Sequence, residues 1–131
     1  MCIFCKIING DIPSKKIYEN DNVLAILDIS QATKGHTLVI PKKHYANLLE
    51  INDEDYKNVM LSVKKLTKKI VDNLGADGVN ILNNCGEAAG QTVMHYHVHI
   101  IPRYKNDDLT INFVDHSKEI NLEEIQNNII K

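Results

Sequence analysis

Several features that would point directly to a function class are missing from this chain of 131 residues. There is no surplus of lysine and arginine, because the formal net charge is −2, so nucleic acid is not expected as the main partner. No apolar run approaches the roughly 20 residues of a membrane span, and no apolar leader opens the chain, so no membrane partner is expected. These absences favour a cytoplasmic protein that binds a small charged metabolite.

Cysteine is also scarce. The three thiols, Cys2, Cys5 and Cys85, are an odd number with one close pair, which is not the pattern of a disulfide framework. The pair Cys-x-x-Cys is half of a tetrahedral zinc site, for which two ligands are missing nearby. Two surface thiols or a redox pair remain alternatives, although no thioredoxin-like βαβ pattern follows.

Hydrophobic patterning indicates one domain, residues 1–131, with several strands and one long helix. Asn52 or Asp53 can cap the long helix, whose apolar positions recur at i, i+3, i+4 and i+7 until Gly75 ends it. We therefore predict an α+β fold in which the helix covers one face of an antiparallel sheet. Strands are predicted over 23–28, 36–41, 78–83 and 94–102, and short helices over 7–10 and about 122–130.

Three histidines, His95, His97 and His99, alternate in the apolar run from Met94 to Pro102. In a β-strand successive side chains point to opposite faces, so all three imidazoles would share one face. An imidazole titrates near neutral pH and serves as nucleophile, proton carrier or metal ligand. Three imidazoles on one face are more than packing requires. We therefore predict that this segment contains the reactive residues of the protein.

The pattern His-x-His-x-His followed by apolar residues resembles the signature of the histidine triad superfamily of nucleotide hydrolases and transferases. Gly35 to His44 is similar to the second strand of that family, Leu27 to Ser30 to its ribose-contacting segment, and Asn84 to Gln91 to its phosphate loop. The resemblance covers Cys2 to about Tyr104 and leaves 105–131 as a tail without a recognised motif. It is closest to the purine-nucleoside phosphoramidase branch.

The resemblance implies a covalent mechanism. His97 would attack the α-phosphorus of a nucleoside 5′-phosphoryl compound, its other ring nitrogen being held by a backbone carbonyl. His99 would hydrogen-bond the phosphate or the leaving group as charge develops. A histidine at position 99, where the uridylyltransferase branch has glutamine, favours a hydrolase.

The resemblance also implies a purine nucleotide site. Asp28 would accept hydrogen bonds from the ribose hydroxyls, and Gly90 would let backbone approach the phosphate. Gln91 and Thr92 would offer side-chain donors to the phosphate oxygens. Asn84 belongs to the same phosphate loop, and the slot for the base would be formed by Ile3, Phe4, Ile7, Ile26 and Ile29.

Two further implications concern a metal and a partner. In some members of the family, histidines that here are His44 and His95 complete a zinc site with the cysteine pair. We therefore predict a structural zinc held by Cys2, Cys5, His44 and His95, with no open position at which to activate water. A homodimer is also implied, with the long helix and the strand around Asn80 at the contact.

Three other functions remain open on the sequence. The same residues would suit a hydrolase of dinucleoside polyphosphates, which present the same α-phosphate. Alternatively the triad itself could hold a catalytic zinc, in which case chelation would abolish activity without unfolding the protein. The chain could also be a nucleotide-binding interaction module with little turnover, which would keep its partner when His97 is replaced.

Overall fold

The computed structural model describes residues 1–131 and consists of a five-stranded antiparallel sheet with three helices. The strand order across the sheet is β1-β2-β3-β5-β4. The predicted α+β fold is confirmed. In chain order the elements are α1 Ile3–Ile8, β1 Lys16–Glu19, β2 Val23–Leu27, β3 Thr37–Pro41, α2 Asp53–Leu74, β4 Gly78–Leu82, β5 Val98–Arg103 and α3 Leu122–Ile130, with 3₁₀ turns at Glu87–Ala89 and Ser117–Glu119.

Helix α2 has the bounds that its capping residues predict. The Asn52 side chain accepts a hydrogen bond from the Asp55 N–H at 2.8 Å, which satisfies one of the free donors of the first turn. Gly75 adopts the left-handed conformation and its N–H donates to the Val71 carbonyl. None of the helices combines the length and the apolar character needed to cross a membrane. The buried stripe of α2 contains Val59, Val63, Leu66 and Ile70.

The sheet separates two apolar layers. Alternate residues of the strands, among them Val39, Val98 and Ile100, pack under α2 on what we call the helix face. Leu38 and Ile40, on the opposite face, pack with α1. Because Tyr96, Val98 and Ile100 point to the helix face, the three alternating histidines point to the other one, which we call the histidine face. The candidate site therefore lies on the side of the sheet away from α2.

Strand β5 is shorter than predicted, because it begins at Val98 and not at Met94. The neighbouring β3 pairs with β5 only over Thr37–Val39, so the preceding residues find no ladder partner there. The Tyr96 N–H instead donates to the Tyr45 carbonyl at 2.7 Å. The alternation of side chains nevertheless continues through this segment, with Tyr96 buried in the core of the helix face.

Helix α1 also differs from its prediction, since it begins at Ile3 and not at Ile7. Cys2 is the N-cap, and its Sγ accepts the Cys5 N–H at 3.3 Å. A thiol is not among the side chains normally read as N-caps, which is why the pattern placed the helix too late. Phe4 and Ile7 are the buried residues of this helix.

We predict that Gly35→Ala destabilises the protein more than Gly10→Ala, although both glycines have positive φ, of +95° and +84° respectively. A Cβ at Gly35 would lie 2.5 Å from Leu74 Cδ1 and 3.3 Å from Pro102 Cγ, whereas nothing lies within 4 Å of one at Gly10. Backbone strain should cost about 1 kcal/mol at each position, and overpacking should add about 1–2 kcal/mol at Gly35. Urea unfolding of the two variants measures the difference, and equal losses would contradict it.

Candidate active site

The ring of His97 is held with one nitrogen free. Its Nδ1 lies 2.7 Å from the backbone carbonyl oxygen of His95. A carbonyl can only accept a hydrogen bond, so Nδ1 carries the proton and the lone pair is on Nε2. Burial lowers the pKa of His97, which keeps the ring neutral at pH 7. Nε2 is therefore available as a nucleophile or proton acceptor.

His95 uses its two ring nitrogens differently. Its Nε2 lies 2.9 Å from the Pro41 carbonyl oxygen and donates to it, so Nδ1 carries the lone pair. That Nδ1 faces the sulfur atoms of Cys2 and Cys5 at 3.4 and 3.5 Å and the Nδ1 of His44 at 3.1 Å. A ring nitrogen fixed by a carbonyl on the far side is the usual arrangement of a metal-binding histidine.

The four predicted zinc ligands converge on one point. The six distances between Cys2 Sγ, Cys5 Sγ, His44 Nδ1 and His95 Nδ1 lie between 3.1 and 3.6 Å. A tetrahedron with Zn–N and Zn–S bonds of about 2.0–2.3 Å has edges of roughly 3.3–3.8 Å. The set of two sulfurs and two imidazoles fits zinc in both geometry and chemistry. All four positions are filled by protein, as in structural sites.

His99 is linked to His36, which the sequence analysis did not place in the site. The Ala32 N–H donates to His36 Nδ1 at 3.1 Å, so the proton of the neutral ring is on Nε2. That Nε2 lies 2.9 Å from His99 Nδ1 and 3.6 Å from Asp28 Oδ2. His99 Nδ1 therefore accepts, and its Nε2–H is left to donate to a ligand. Its pKa is lowered to about 4 by burial and by the neighbouring His97 and His36.

The three triad histidines do not converge on a shared metal. His95 belongs to the cluster with Cys2, Cys5 and His44, whereas His99 belongs to a cluster with Asp28 and His36. His97 belongs to neither cluster, and its Nδ1 donates to a backbone carbonyl. This geometry does not support a catalytic zinc held by the triad.

A cavity of about 710 Å³ opens beside the histidines on the histidine face. Phe4 stands between the cavity and the histidines, with its ring centroid 5.0 Å from that of His97 at an interplanar angle of 85°. Ile29 is fully exposed at the mouth, and Asp28 and Lys15 are the only charged residues of the lining. The predicted base slot and ribose contact all line this cavity: Ile3, Phe4, Ile7, Ile26, Asp28 and Ile29.

The predicted phosphate loop is held together by Gln91, and this corrects the role expected for that residue. The Gln91 side chain is buried, and its Nε2 donates to the Ala46 and Val93 carbonyls at 2.7 and 3.0 Å. Its Oε1 accepts the Gly86 N–H at 2.8 Å. Both side-chain hydrogens are thus used within the protein, and Gln91 shapes the loop and has no free donor for a phosphate.

The other residues of the predicted phosphate loop are not occupied in this way. Gly90 has φ +94°, a conformation that favours glycine, and its carbonyl receives a long hydrogen bond from Asn84 Nδ2 at 3.4 Å. Thr92 is exposed. Asn83, which the sequence suggested only as a strand residue, donates from Nδ2 to the His97 carbonyl at 2.9 Å and so ties the loop to the reactive segment.

Comparison with known proteins agrees with this arrangement. A family model described as the HIT domain matches residues 9–106. The chain belongs to the HIT family. It is similar to the crystal structure of a HIT family member from Bacillus subtilis, with 52% identity, a TM-score of 0.91, and coverage of 98% of this chain and 92% of the other.

Two further relatives carry more specific descriptions. A Schizosaccharomyces pombe protein named adenosine 5'-monophosphoramidase hnt1 is 49% identical over 102 residues, which are 78% of this chain and 74% of that protein. The crystal structure of a zinc-bound histidine triad family protein from Mycobacterium smegmatis matches with 41% identity and a TM-score of 0.80. That match covers 90% of this chain and 86% of the other.

We predict that the His99 ring stays neutral in the folded protein until the pH falls to about 4, because burial and two neighbouring imidazoles oppose its protonation. The folded pKa lies below the value of about 6.5 for an unfolded histidine. His99 therefore withdraws stability as the pH falls from about 6.5 towards 4. NMR titration of the ring nitrogens checks this, with the urea-unfolded chain as the control. A His99 midpoint near 6.5 in the folded protein would contradict it.

Proposed function

We propose that this protein is a nucleotide hydrolase that cleaves at the α-phosphate of purine nucleoside 5′-phosphoramidates or related nucleotidyl compounds and releases a nucleoside monophosphate. The observation that carries the proposal is the fixed ring of His97. Its Nδ1 is bonded to the His95 carbonyl, so the Nε2 lone pair is available beside a cavity lined by apolar side chains and one carboxylate, Asp28.

In the first half of the reaction His97 Nε2 attacks the α-phosphorus. A P–N bond to the histidine forms while the bond to the leaving group breaks, and the leaving nitrogen takes that electron pair and a proton from solvent. The nucleotidyl-histidine carries a positive charge on the ring. The His95 carbonyl, 2.7 Å from Nδ1, stabilises that charge by accepting the Nδ1–H.

In the second half water attacks the same phosphorus. The P–Nε2 bond breaks, its electron pair returns to the imidazole, and the water loses its proton to solvent. The nucleoside monophosphate leaves and His97 is again neutral with its lone pair on Nε2. Because the Nδ1 hydrogen bond is present throughout, no ring flip is needed between the two halves.

His99 serves both halves as a donor. The chain of hydrogen bonds from the Ala32 N–H through His36 leaves a proton on His99 Nε2 while the ring is neutral. The neutral ring can donate this proton in a hydrogen bond to a phosphate oxygen or to the leaving group as negative charge develops there. Gly90 lets the backbone of the loop approach the phosphate, and the Thr92 hydroxyl can donate a hydrogen bond to a phosphate oxygen. His36 is a positioning residue in this scheme, because it acts through His99.

The cavity supports a purine nucleoside as the substrate. Its walls are mainly apolar, as a flat bicyclic base requires, and Asp28 lies at the end of β2, where it can accept from ribose hydroxyls. The relative named adenosine 5'-monophosphoramidase supports the same class of substrate. Dinucleoside polyphosphates present the same α-phosphate and form the second candidate class.

We predict that His97→Ala abolishes AMP release from adenosine 5′-phosphoramidate, with a loss of roughly 10³-fold or more because no other group supplies the nucleophile. His116→Ala, which changes an exposed histidine of the tail, is the matched control and should keep wild-type turnover. AMP release by the wild type that persists in His97→Ala would refute the nucleophile. Tight AMP binding without turnover of either substrate class would favour the nucleotide-binding module.

We also propose that Cys2, Cys5, His44 and His95 hold one structural zinc ion, since their ligand atoms fit a tetrahedral zinc. The zinc-bound relative from Mycobacterium smegmatis supports this assignment. When bound, zinc would crosslink the start of the chain to the segment that carries His97. Because all four ligands come from protein, the ion supplies no site for substrate or water.

We predict that Cys2→Ser lowers the zinc content, from one ion per chain, and lowers the melting temperature. Losing about 2 kcal/mol of crosslink energy would shift it by roughly 5 °C or more. Cys85→Ser, which changes the cysteine outside the cluster, should alter neither quantity. Elemental analysis and thermal unfolding of both variants test this, and a zinc-free wild type, or a Cys2→Ser variant with full zinc, would contradict it.

The homodimer remains part of the proposal, and the surface of the protein supports it. β4 is an edge strand on which Ile81 and Leu82 are 45% and 43% exposed. An open apolar edge promotes association unless something covers it. A second copy pairing along β4 would cover the Ile81 and Leu82 side chains.

A further inference from the structure

One peptide group of the segment 94–97 is held from two sides. The bond between His95 and Tyr96 is planar, so its C=O and its N–H can turn only together. The carbonyl oxygen lies 2.7 Å from His97 Nδ1, and the N–H donates to the Tyr45 carbonyl, also at 2.7 Å. The orientation of the His97 ring therefore depends on the position of the Tyr45 carbonyl.

The two hydrogen bonds of this peptide group also strengthen each other. When the N–H of a peptide group donates, its carbonyl oxygen becomes more negative and a better acceptor. The Tyr45 carbonyl thus helps to stabilise the charge that the proposed reaction places on the His97 ring. Strand β3 does not supply this contact, because it pairs with β5 only over Thr37–Val39. The contact comes instead from the segment that follows β3.

Asp55 holds Tyr45 from the first turn of α2. The Tyr45 hydroxyl donates to Asp55 Oδ2. Asp55 is only 8% exposed and takes part in none of the ion pairs of the chain. A carboxylate buried without a cation costs free energy that an apolar residue at the same position would avoid. Its burial indicates a role beyond packing, and the hydrogen bond to Tyr45 is the contact through which that role acts.

The side chain and the main chain of Tyr45 contact different parts of the molecule. The ring packs against the core of the helix face, whereas the carbonyl reaches the peptide that orients the reactive ring. His44 belongs to the proposed zinc site, and the Ala46 carbonyl accepts from Gln91 Nε2 at 2.7 Å. These three consecutive residues connect the zinc cluster, the reactive segment and the phosphate loop. The contact with Asp55 anchors all three to a helix of 22 residues.

We propose that Tyr45 and Asp55 are positioning residues for His97. Their side-chain hydrogen bond fixes the Tyr45 carbonyl, and that carbonyl fixes the peptide group whose oxygen holds the Nδ1–H. The catalytic part of this inference rests on the proposed function, whereas the orientation of the ring does not. Neither side chain lines the cavity. Loss of the contact should therefore slow the attack by Nε2 and leave nucleotide affinity as it is.

The variant Tyr45→Phe removes only the hydroxyl and tests this directly. The single-turnover rate of AMP release from adenosine 5′-phosphoramidate should fall about tenfold or more, because a displaced nucleophile reacts slowly. AMP affinity, measured by calorimetry, should equal that of the wild type. An unchanged rate, or a rate and an affinity that fall together, would overturn the proposal.

Tyr18→Phe is the matched control. Tyr18 is also half-buried, packs against the same core, and has one hydroxyl hydrogen bond, from Asn20 Nδ2 at 2.9 Å. It lies on β1, which two strands separate from β5. Tyr18→Phe should keep the wild-type rate. Equal slowing in both tyrosine variants would reveal a general loss of stability and would contradict a role in positioning.

Substitutions of Asp55 test the other half of the contact. Asp55→Ala leaves the Tyr45 hydroxyl without its acceptor and should slow AMP release as much as Tyr45→Phe does. Asp55→Asn retains an amide oxygen that can accept and should recover most of that rate. The double variant should be no slower than either single one, since both break the same contact. Additive losses, or an Asn variant no faster than the Ala variant, would count against the pair.

Nitrogen-15 NMR of the His97 ring tests the orientation without any substrate. The wild type and Tyr18→Phe should show the Nδ1–H tautomer alone. Tyr45→Phe should show a mixture with the Nε2–H tautomer, because the carbonyl no longer holds the Nδ1 proton in place. This difference in a protein that releases no AMP would refute the hydrolase and support the positioning. An unchanged tautomer in Tyr45→Phe would refute the positioning whatever the hydrolysis shows.

Zinc content distinguishes this role from an effect on the neighbouring metal site. Because Tyr45 follows His44 in the chain, elemental analysis should accompany every rate measurement. All the variants should hold as much zinc as the wild type. Zinc lost from Tyr45→Phe but not from Tyr18→Phe would place the effect at His44 and would overturn the proposal.

Discussion

The carbonyl oxygen of His95 decides which nitrogen of His97 can react, and the rest of the site is arranged around that hydrogen bond. The carbonyl oxygen lies 2.7 Å from Nδ1 and accepts its hydrogen bond, and burial keeps the ring neutral. The segment that contains this carbonyl is itself held by contacts of the His95 ring with Pro41, of the Tyr96 N–H with Tyr45, and of the His97 carbonyl with Asn83. Single hydrogen bonds to Pro41, Tyr45 and Asn83 thus replace the strand pairing that residues 94–97 lack.

Helix α1 joins the cluster of Cys2, Cys5, His44 and His95 to the cavity. Cys2 and Cys5 face His44 and His95, while Ile3 and Phe4, between the two cysteines in the chain, line the cavity. Phe4 also contacts the ring of His97 edge-on. The zinc crosslink that we propose would therefore fix a wall of this cavity as well as the start of the chain. Loss of the zinc should therefore weaken substrate affinity more than it slows the chemical step.

The sequence allowed prediction of features that depend on local pattern. The bounds of α2 followed from Asn52 and Gly75, and the α+β fold from the order of the apolar runs. The residues predicted by resemblance for the base slot all line one cavity, and those predicted for the zinc site form one cluster. In each of these cases a short stretch of chain, or a motif of fixed spacing, contains the information.

What the sequence did not reveal depends on contacts between distant segments. His36 pairs with His99 across 63 positions, and Gln91 donates to the carbonyl of Ala46, 45 positions away. No periodicity reports such contacts, so His36 was given an ordinary strand role and Gln91 a phosphate role. The start of β5 was misplaced for the same reason, because a strand begins only where it pairs with a neighbour, and β5 pairs with β3 only over Thr37–Val39.

The central claim is that His97 becomes covalently attached to the nucleotide, and direct detection of that species tests it. Wild-type protein would be mixed with adenosine 5′-phosphoramidate, quenched in alkali within one turnover, digested, and mapped by mass spectrometry. The account predicts an adenylyl group on the peptide that contains His97, located at that residue by fragmentation. Product formation without a labelled histidine, or a label on His95 or His99, would contradict it.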